Sequence, residues 1–193
     1  MEMKKYKLGE ICSIIPGFAF KSSDFGTGSN YAIKIKDILP YVVNVNGAEK
    51  VSFTPDDRYK VHYGDYVMAM TGATIGKVGK ILSYESNLYI NQRVCKFVPK
   101  EDICDKQYLF YVLNSKEFKQ FVLNNIDSKA AQPNIGHPTL YKYCVNLPCL
   151  TSQRKIASML SSLDRKIALN RAINRNLPLF GRSLEVVAIR RVA

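Results

Sequence analysis

The sequence predicts an α+β protein: a globular, β-rich domain with a few helices over residues 1–150, followed by a long C-terminal coiled-coil helix over 151–177. Three observations predict it. Short runs of alternating apolar and polar residues, punctuated by Gly, Asn and Asp, fill most of the first 150 positions. From Thr151 onward the seam residues recur at steps of four and three instead. Composition changes at the same place. No tyrosine follows Tyr143, and residues 151–193 hold 9 of the 28 basic but only 2 of the 16 acidic residues.

The elements can be taken in order. IKIKDI (Ile33–Ile38) alternates and reads as a half-buried strand. YGDYVMAM (Tyr63–Met70) reads as a turn running into an apolar strand. KVGKIL (Lys77–Leu82) and YINQRVCKFV (Tyr89–Val98) alternate again, which would place Asn91 and Arg93 on one strand face and Gln92 on the other. Lys106–Ile126 has apolar residues three and four apart, an amphipathic helix with a break expected near Asn114-Ser115. A boundary falls near Pro148–Thr151, where Thr151 or Ser152 can cap the last helix. Its heptad seam is Ile156, Leu160, Leu163, Ile167, Asn170, Asn174 and Leu177. Arg154, Lys155, Arg165, Lys166, Arg171 and Arg175 lie off that seam. The two asparagines would cost stability and fix register. Pro178 is expected to end the helix, which leaves 178–193 as a tail open to disorder. One helix makes no coiled coil, so its mate must come from another chain or another segment. The other reading is a helix packed on its own domain.

Composition bounds the function. Of 193 residues, 47% are hydrophobic, which supplies a core and excludes general disorder. The net charge of +12 points to an anionic partner, with nucleic acid first and a membrane surface or plain solubility behind it. No apolar run fits a signal peptide or a membrane span, so a cytoplasmic protein with no membrane partner is expected. Five cysteines with no CxxC pair read as reduced, small hydrophobes. Cys144, Cys149 and His137 fit no common zinc spacing, and no metal or cofactor is expected.

The motifs point away from catalysis. TGATIGKVGK (Thr71–Lys80) has three residues between Gly72 and Gly76 and Val78 after Lys77, so it is not a phosphate loop. It remains a glycine loop whose Thr and Lys donors suit phosphates or base edges, or else a plain hairpin. Asp56 and Asp57 with the later Glu117 and Lys119 echo the carboxylate–lysine set of metal-dependent nucleases, at a long spacing. No nucleophile elbow or zinc-protease motif is present, and no catalytic residue is assigned. His62 and His137 are single histidines. Polar segments with aromatic neighbours are more informative. GFAFKSSDF (Gly17–Phe25), INQRV (Ile90–Val94) and SKAAQPNIGH (Ser128–His137) offer Lys, Arg, Gln and Asn side chains that can pair with purine edges, and each set taken alone equally fits ordinary turn chemistry.

In this order, KLGEI (7–11), GFAFKSSDF (17–25), IKIKDI (33–38), GDYVMAMTGATIGKVG (64–79), INQRVCKFVP (90–99), SKAAQPNIG (128–136) and the helix 147–177 resemble one half of the specificity subunit of type I restriction-modification systems. The resemblance implies a target recognition domain (1–150) that reads one part of a split site in double-stranded DNA. It implies a conserved-region helix that pairs antiparallel with that of the other half. It also implies docking of methyltransferase (M) subunits and, through that core, of the motor-nuclease (R) subunit, with no catalysis by the chain itself. DNA contacts would fall on Lys21, Ser22 and Ser23, on Lys34 and Lys36, and on Thr71, Thr74 and Lys77. They would continue on Gln92 and Arg93, and on Lys129, Gln132, Asn134 and His137. A full subunit has two such halves and this sequence has one. A homodimer through the C-terminal helix is therefore one expectation, and it would read a palindromic split site. A protein-interaction module with a basic helix, and a nuclease, are the alternatives from other classes.

Overall fold

The computed structural model describes residues 2–82, 87–127 and 133–189, with side chains through residue 174. In chain order the elements are β1 (Lys4–Lys7), α1 (Leu8–Ile11), β2 (Cys12–Pro16), β3 (Phe25–Ile33), β4 (Ile38–Leu39), β5 (Tyr41–Val43), β6 (Glu49–Val51), β7 (Lys60–Val61), β8 (Tyr66–Ala69), β9 (Val78–Lys80), β10 (Asn87–Ile90) and β11 (Val94–Pro99). Then come α2 (Lys106–Asn114), α3 (Lys116–Asn124), α4 (His137–Leu140), β12 (Cys144–Leu147) and α5 (Leu150–Ile189). The fold is α+β, rich in sheet, with a long C-terminal helix. Two compact units divide the chain, Met1–Gln153 and Arg154–Ala193.

Three sheets build the first unit. β2-β11-β8-β9-β5-β4 form six strands, β6-β3-β10-β7 form four, and β1 pairs with β12. Most neighbours are antiparallel, while β10–β3 and β5–β9 are parallel. The residues of β8 are all buried because both faces of its sheet are covered. Tyr66 and Met68 pack toward Leu109, Phe110, Leu113 and Phe118 of α2 and α3. Val67 and Ala69 point the other way, into a second core with Ile33, Leu88 and Ile90 of the four-stranded sheet. A strand buried on both faces needs an unbroken apolar run, which is what Tyr66-Val67-Met68-Ala69 supplies.

The helical segment after β11 breaks where expected. Ser115 ends α2 and caps α3, accepting from the Phe118 amide at 3.1 Å. Two other expectations are corrected. IKIKDI is not one strand: Ile33 ends β3, Ile35–Asp37 form a 3-10 turn, and Ile38 begins β4. The Asp37 carboxylate accepts from the Lys34 amide at 2.8 Å, and this local bond outcompetes the extended form. YINQRVCKFV is likewise two strands joined by a turn at Gln92-Arg93, so the facing of Asn91, Gln92 and Arg93 across a strand does not occur. The Val94 amide donates to the Asn91 carbonyl at 2.8 Å and closes that turn.

The last helix starts at Leu150, ahead of the Thr151 or Ser152 cap expected, and it runs past Pro178 to Ile189. A proline inside a helix removes one N–H and costs about 3 kcal/mol, and the helix continues through this one nonetheless. At 1.5 Å per residue its 40 residues extend about 60 Å. Gln153 fixes its first turn within the first unit. This side chain is 1% exposed. It donates to the carbonyls of Ile103 (3.0 Å) and Pro148 (2.9 Å) and accepts from the Asp105 amide (2.9 Å). Gln153→Leu keeps the apolar contacts and strands three backbone groups. We expect a loss of about 3 kcal/mol in denaturant unfolding, without a change in secondary structure.

Candidate nucleic-acid interface

Strand register sets where the loops gather. Ala69 pairs with Val94 and Pro16 with Cys95, so the ends of β8 and β2 and the start of β11 share one end of the six-stranded sheet. Backbone bonds lace the connecting segments together there. The Met70 amide donates to the Arg93 carbonyl (2.9 Å), Gly17 to Val94 (2.8 Å), Ile135 to Met70 (3.0 Å) and Gly72 to Pro133 (3.1 Å). The Thr71 hydroxyl donates to the Pro133 carbonyl at 2.8 Å.

Four segments thereby border an open pocket of about 350 Å³ lined by Pro16, Met70, Gln92, Arg93, Asn134, Ile135, Gly136 and His137. Met70 and Ile135 are buried and give it an apolar floor, while Gln92 and Arg93 are exposed at its rim. Phe18, which bridges to Asn91, stacks on Phe53 with centroids 5.2 Å apart and planes 10° apart. Among the described residues, no aspartate or glutamate lines this pocket.

The expected contact residues divide into groups. Gln92, Arg93, Asn134 and His137 are brought together. Lys21, Ser22 and Ser23 are exposed on a 3-10 turn that Asp24 caps at the Lys21 amide (2.8 Å). Thr71 is 1% exposed and its hydroxyl is committed to Pro133, so it holds the loop and offers no donor outward. Thr74 donates to the Ile35 carbonyl at 3.1 Å and ties the glycine loop to the turn carrying Lys34 and Lys36. Lys34 is also committed: it pairs with Glu49, and its ammonium lies 3.8 Å from the Phe25 ring centroid. That hydrogen bond from Lys34 holds the half-buried Glu49 carboxyl below its usual value. Burial pushes the Asp37 carboxyl beneath Lys34 upward, against the amide bond it accepts. Lys36 stays exposed and Lys77 half-buried. Lys129 and Gln132 lie outside the described residues.

The glycine loop is the hairpin connection of β8 and β9. Gly72 and Gly76 hold φ of 73° and 77°, the left-handed turn geometry that glycine permits. Asp56, the candidate nuclease carboxylate, instead caps a 3-10 turn by accepting from the Arg58 amide at 2.9 Å. Cys12, Cys95 and Cys104 are buried, and burial pushes the Cys12 and Cys104 thiols up to about 12. Among the described residues no group of three or more His, Cys, Asp or Glu side chains is arranged to hold a metal. No helix among them is long and apolar enough to cross a membrane.

On the second unit, Leu163 and Ile167 of the expected seam are 50% and 47% exposed, and Ile156 and Leu160 are half-buried. Asn170 and Asn174 are exposed, and the Leu177 side chain lies outside those described. The heptad reading passed over Leu169 and Ile173, which are 61% and 46% exposed. At 100° per residue, Leu169 sits about 200° around the helix from Ile167, so the apolar surface is on two faces.

The first unit is thus a β-rich domain whose loops border a pocket rimmed by basic and amide side chains, and the second is a long helix with exposed apolar residues. The comparisons name the family of the chain. The profile described as "Type I restriction modification DNA specificity domain" matches residues 1–179, and the chain belongs to that family. It is 32% identical over 174 residues to the type I restriction enzyme MjaVIII specificity subunit of Methanocaldococcus jannaschii, covering 86% of this chain and 40% of that protein. It is 27% identical to the EcoBI specificity subunit of Escherichia coli, covering 90% of this chain and 35% of that one. Among solved structures, the HsdS subunit from Thermoanaerobacter tengcongensis superposes with a TM-score of 0.63 at 20% identity, over 86% of this chain and 38% of that one. A chain from a study of type I R-M complex assembly and conformational transition gives 0.66 at 21% identity, over 88% and 40%. The chain thus spans about two fifths of the length of these relatives.

Proposed function

We propose that this chain reads one part of a split double-stranded DNA site as half of a type I restriction-modification specificity subunit. It contributes sequence recognition and no chemistry of its own, in the cytoplasm. One observation carries the reading. In a chain of this family, the polar side chains of widely separated segments converge at one sheet end, on Gln92, Arg93, Asn134 and His137. Lys21, Lys36 and Lys77 are the cations available for phosphates. The long helix pairs along Ile156, Leu160, Leu163, Ile167, Asn170, Asn174 and Leu177 with the corresponding helix of a second half, and a second copy of this chain is the mate put to the test. Leu169 and Ile173, on the other face, are left to dock a methyltransferase subunit, and the motor-nuclease subunit joins the complex so formed.

The test is sedimentation of the chain with a methyltransferase subunit from the same locus, followed by binding to duplex DNA across a salt series. We expect a dimer that recruits the methyltransferase, and an affinity whose log–log slope against salt is about −0.9 per phosphate neutralised. A complex that retains no duplex at low salt refutes the DNA reading and leaves a protein-interaction module.

A further inference from the structure

We propose that the pocket between Pro16, Met70, Arg93 and Asn134 reads one guanine through the Arg93 guanidinium and seats the C5-methyl of a neighbouring thymine on its apolar floor. This deepens the DNA-reading function proposed above and rests on it.

Arg93 is exposed, and among the described residues its guanidinium has no ion-pair partner. Lys34 and Lys106, by contrast, are held by Glu49 and Asp65. The Arg93 backbone is fixed: its carbonyl accepts from Met70, and the next residue is bonded to both Asn91 and Gly17. With its backbone already fixed, only the side chain's own rotamers are left to be ordered when it meets a ligand. Its planar fork matches the O6 and N7 acceptors of guanine in the major groove. The usual partner of the cytosine amino group is a carboxylate, and among the described residues none lines this pocket. Gln92 and Asn134 carry donor and acceptor together, which suits adenine, so adjacent base pairs fall to them.

A phosphate would also satisfy Arg93, but it gains nothing from the surface beside it. Met70 and Ile135 are 7% and 1% exposed and, with Pro16, form an apolar floor next to that guanidinium. The group on a base edge that gains from such a floor is the thymine methyl. Cation and floor together therefore specify a step holding guanine and thymine, whereas either alone would not.

The experiment selects binders from random duplexes with the full chain in complex with its methyltransferase subunit, comparing wild type, Arg93→Ala and Gln92→Ala. We expect Arg93→Ala to make one guanine position degenerate, with the other positions kept and the affinity for the wild-type site lowered about 10- to 100-fold. Gln92→Ala should leave that guanine in place. Deoxyuridine in place of the thymine beside it should weaken wild-type binding several-fold, since only the methyl is lost. If Arg93→Ala lowers affinity equally for all sequences, Arg93 contacts phosphate and the inference fails. If deoxyuridine changes nothing, the floor receives no methyl and that half fails. If wild type selects no consensus, the fault lies with the DNA-recognition function itself.

Discussion

Leu163→Asp combined with Ile167→Asp is expected to convert a dimeric chain to a monomer while leaving its recognition domain folded. Both side chains are about half exposed in the single chain, so neither supports the fold of its own copy. In a symmetric pair of helices the two substitutions remove four apolar side chains from the seam. Each is worth about 1.5–3 kcal/mol when fully buried. They also place four carboxylates where water would have to be excluded. Even with half that burial, the dimer dissociation constant should rise at least about 100-fold. Sedimentation equilibrium checks this, with circular dichroism to show that the helix persists. A variant that remains dimeric would move the pairing surface to Leu169 and Ile173 or off the helix.

Gly17→Ala should be the most damaging single change at the pocket. A Cβ at Gly17 would lie 2.1 Å from the Asn91 carbonyl oxygen and 2.6 Å from that of Ile90. Both are backbone atoms of β10 and the turn after it, so no side chain can rotate to make room. The Gly17 amide also donates to Val94, which holds this approach close. Overpacking in a rigid setting costs typically 1–3 kcal/mol and sometimes more. Here about 3 kcal/mol or above is expected, as a lower midpoint in denaturant unfolding. Because Pro16, Gln92 and Arg93 flank this contact, the surviving folded fraction should also bind DNA more weakly. Gly26, where an added Cβ would meet nothing within 4 Å, has φ of +99°. Gly26→Ala therefore reports the cost of a left-handed backbone alone, and a smaller loss there than at Gly17 would isolate the steric part.

The features legible in the sequence were those written in local patterns. The spacing of Ile156, Leu160, Leu163 and Ile167 marks a helix, and Ser115 marks a break between α2 and α3, because caps and periodicity act within a few residues. The Tyr63–Met70 segment is a turn and a strand, as read, with Gly64 at φ 84°. Asp37 and Asn91 misled the strand reading, because a side-chain bond to Lys34 and a tight turn defeat an alternation pattern that is otherwise correct. The pocket was only partly legible. Gln92, Arg93, Asn134 and His137 stand out as polar residues in loops. Met70, Ile135 and Pro16, which make the floor, look like ordinary core and turn residues. Only long-range pairing, such as Thr71 against Asn134, brings floor and rim together, and no local signal encodes it. Leu169 and Ile173 were passed over because a single heptad frame assigns one apolar face and counts the rest as solvated.

The small sheet of β1 and β12 has a consequence for how this module can be handled. Lys4 pairs with Leu147 and Lys7 with Cys144, so the entrance and the exit of the sequence-reading body lie side by side, about 5 Å apart between paired backbones. A body whose two ends meet on its surface can be lifted out of one chain and set into another with little strain on either junction. The α5 helix begins only three residues beyond that pair of strands. A different reading body grafted between the same two strands would therefore meet the helix at an unchanged position. Such an exchange would replace the loops that carry Arg93 and Asn134 while leaving the β12–α5 junction as it was.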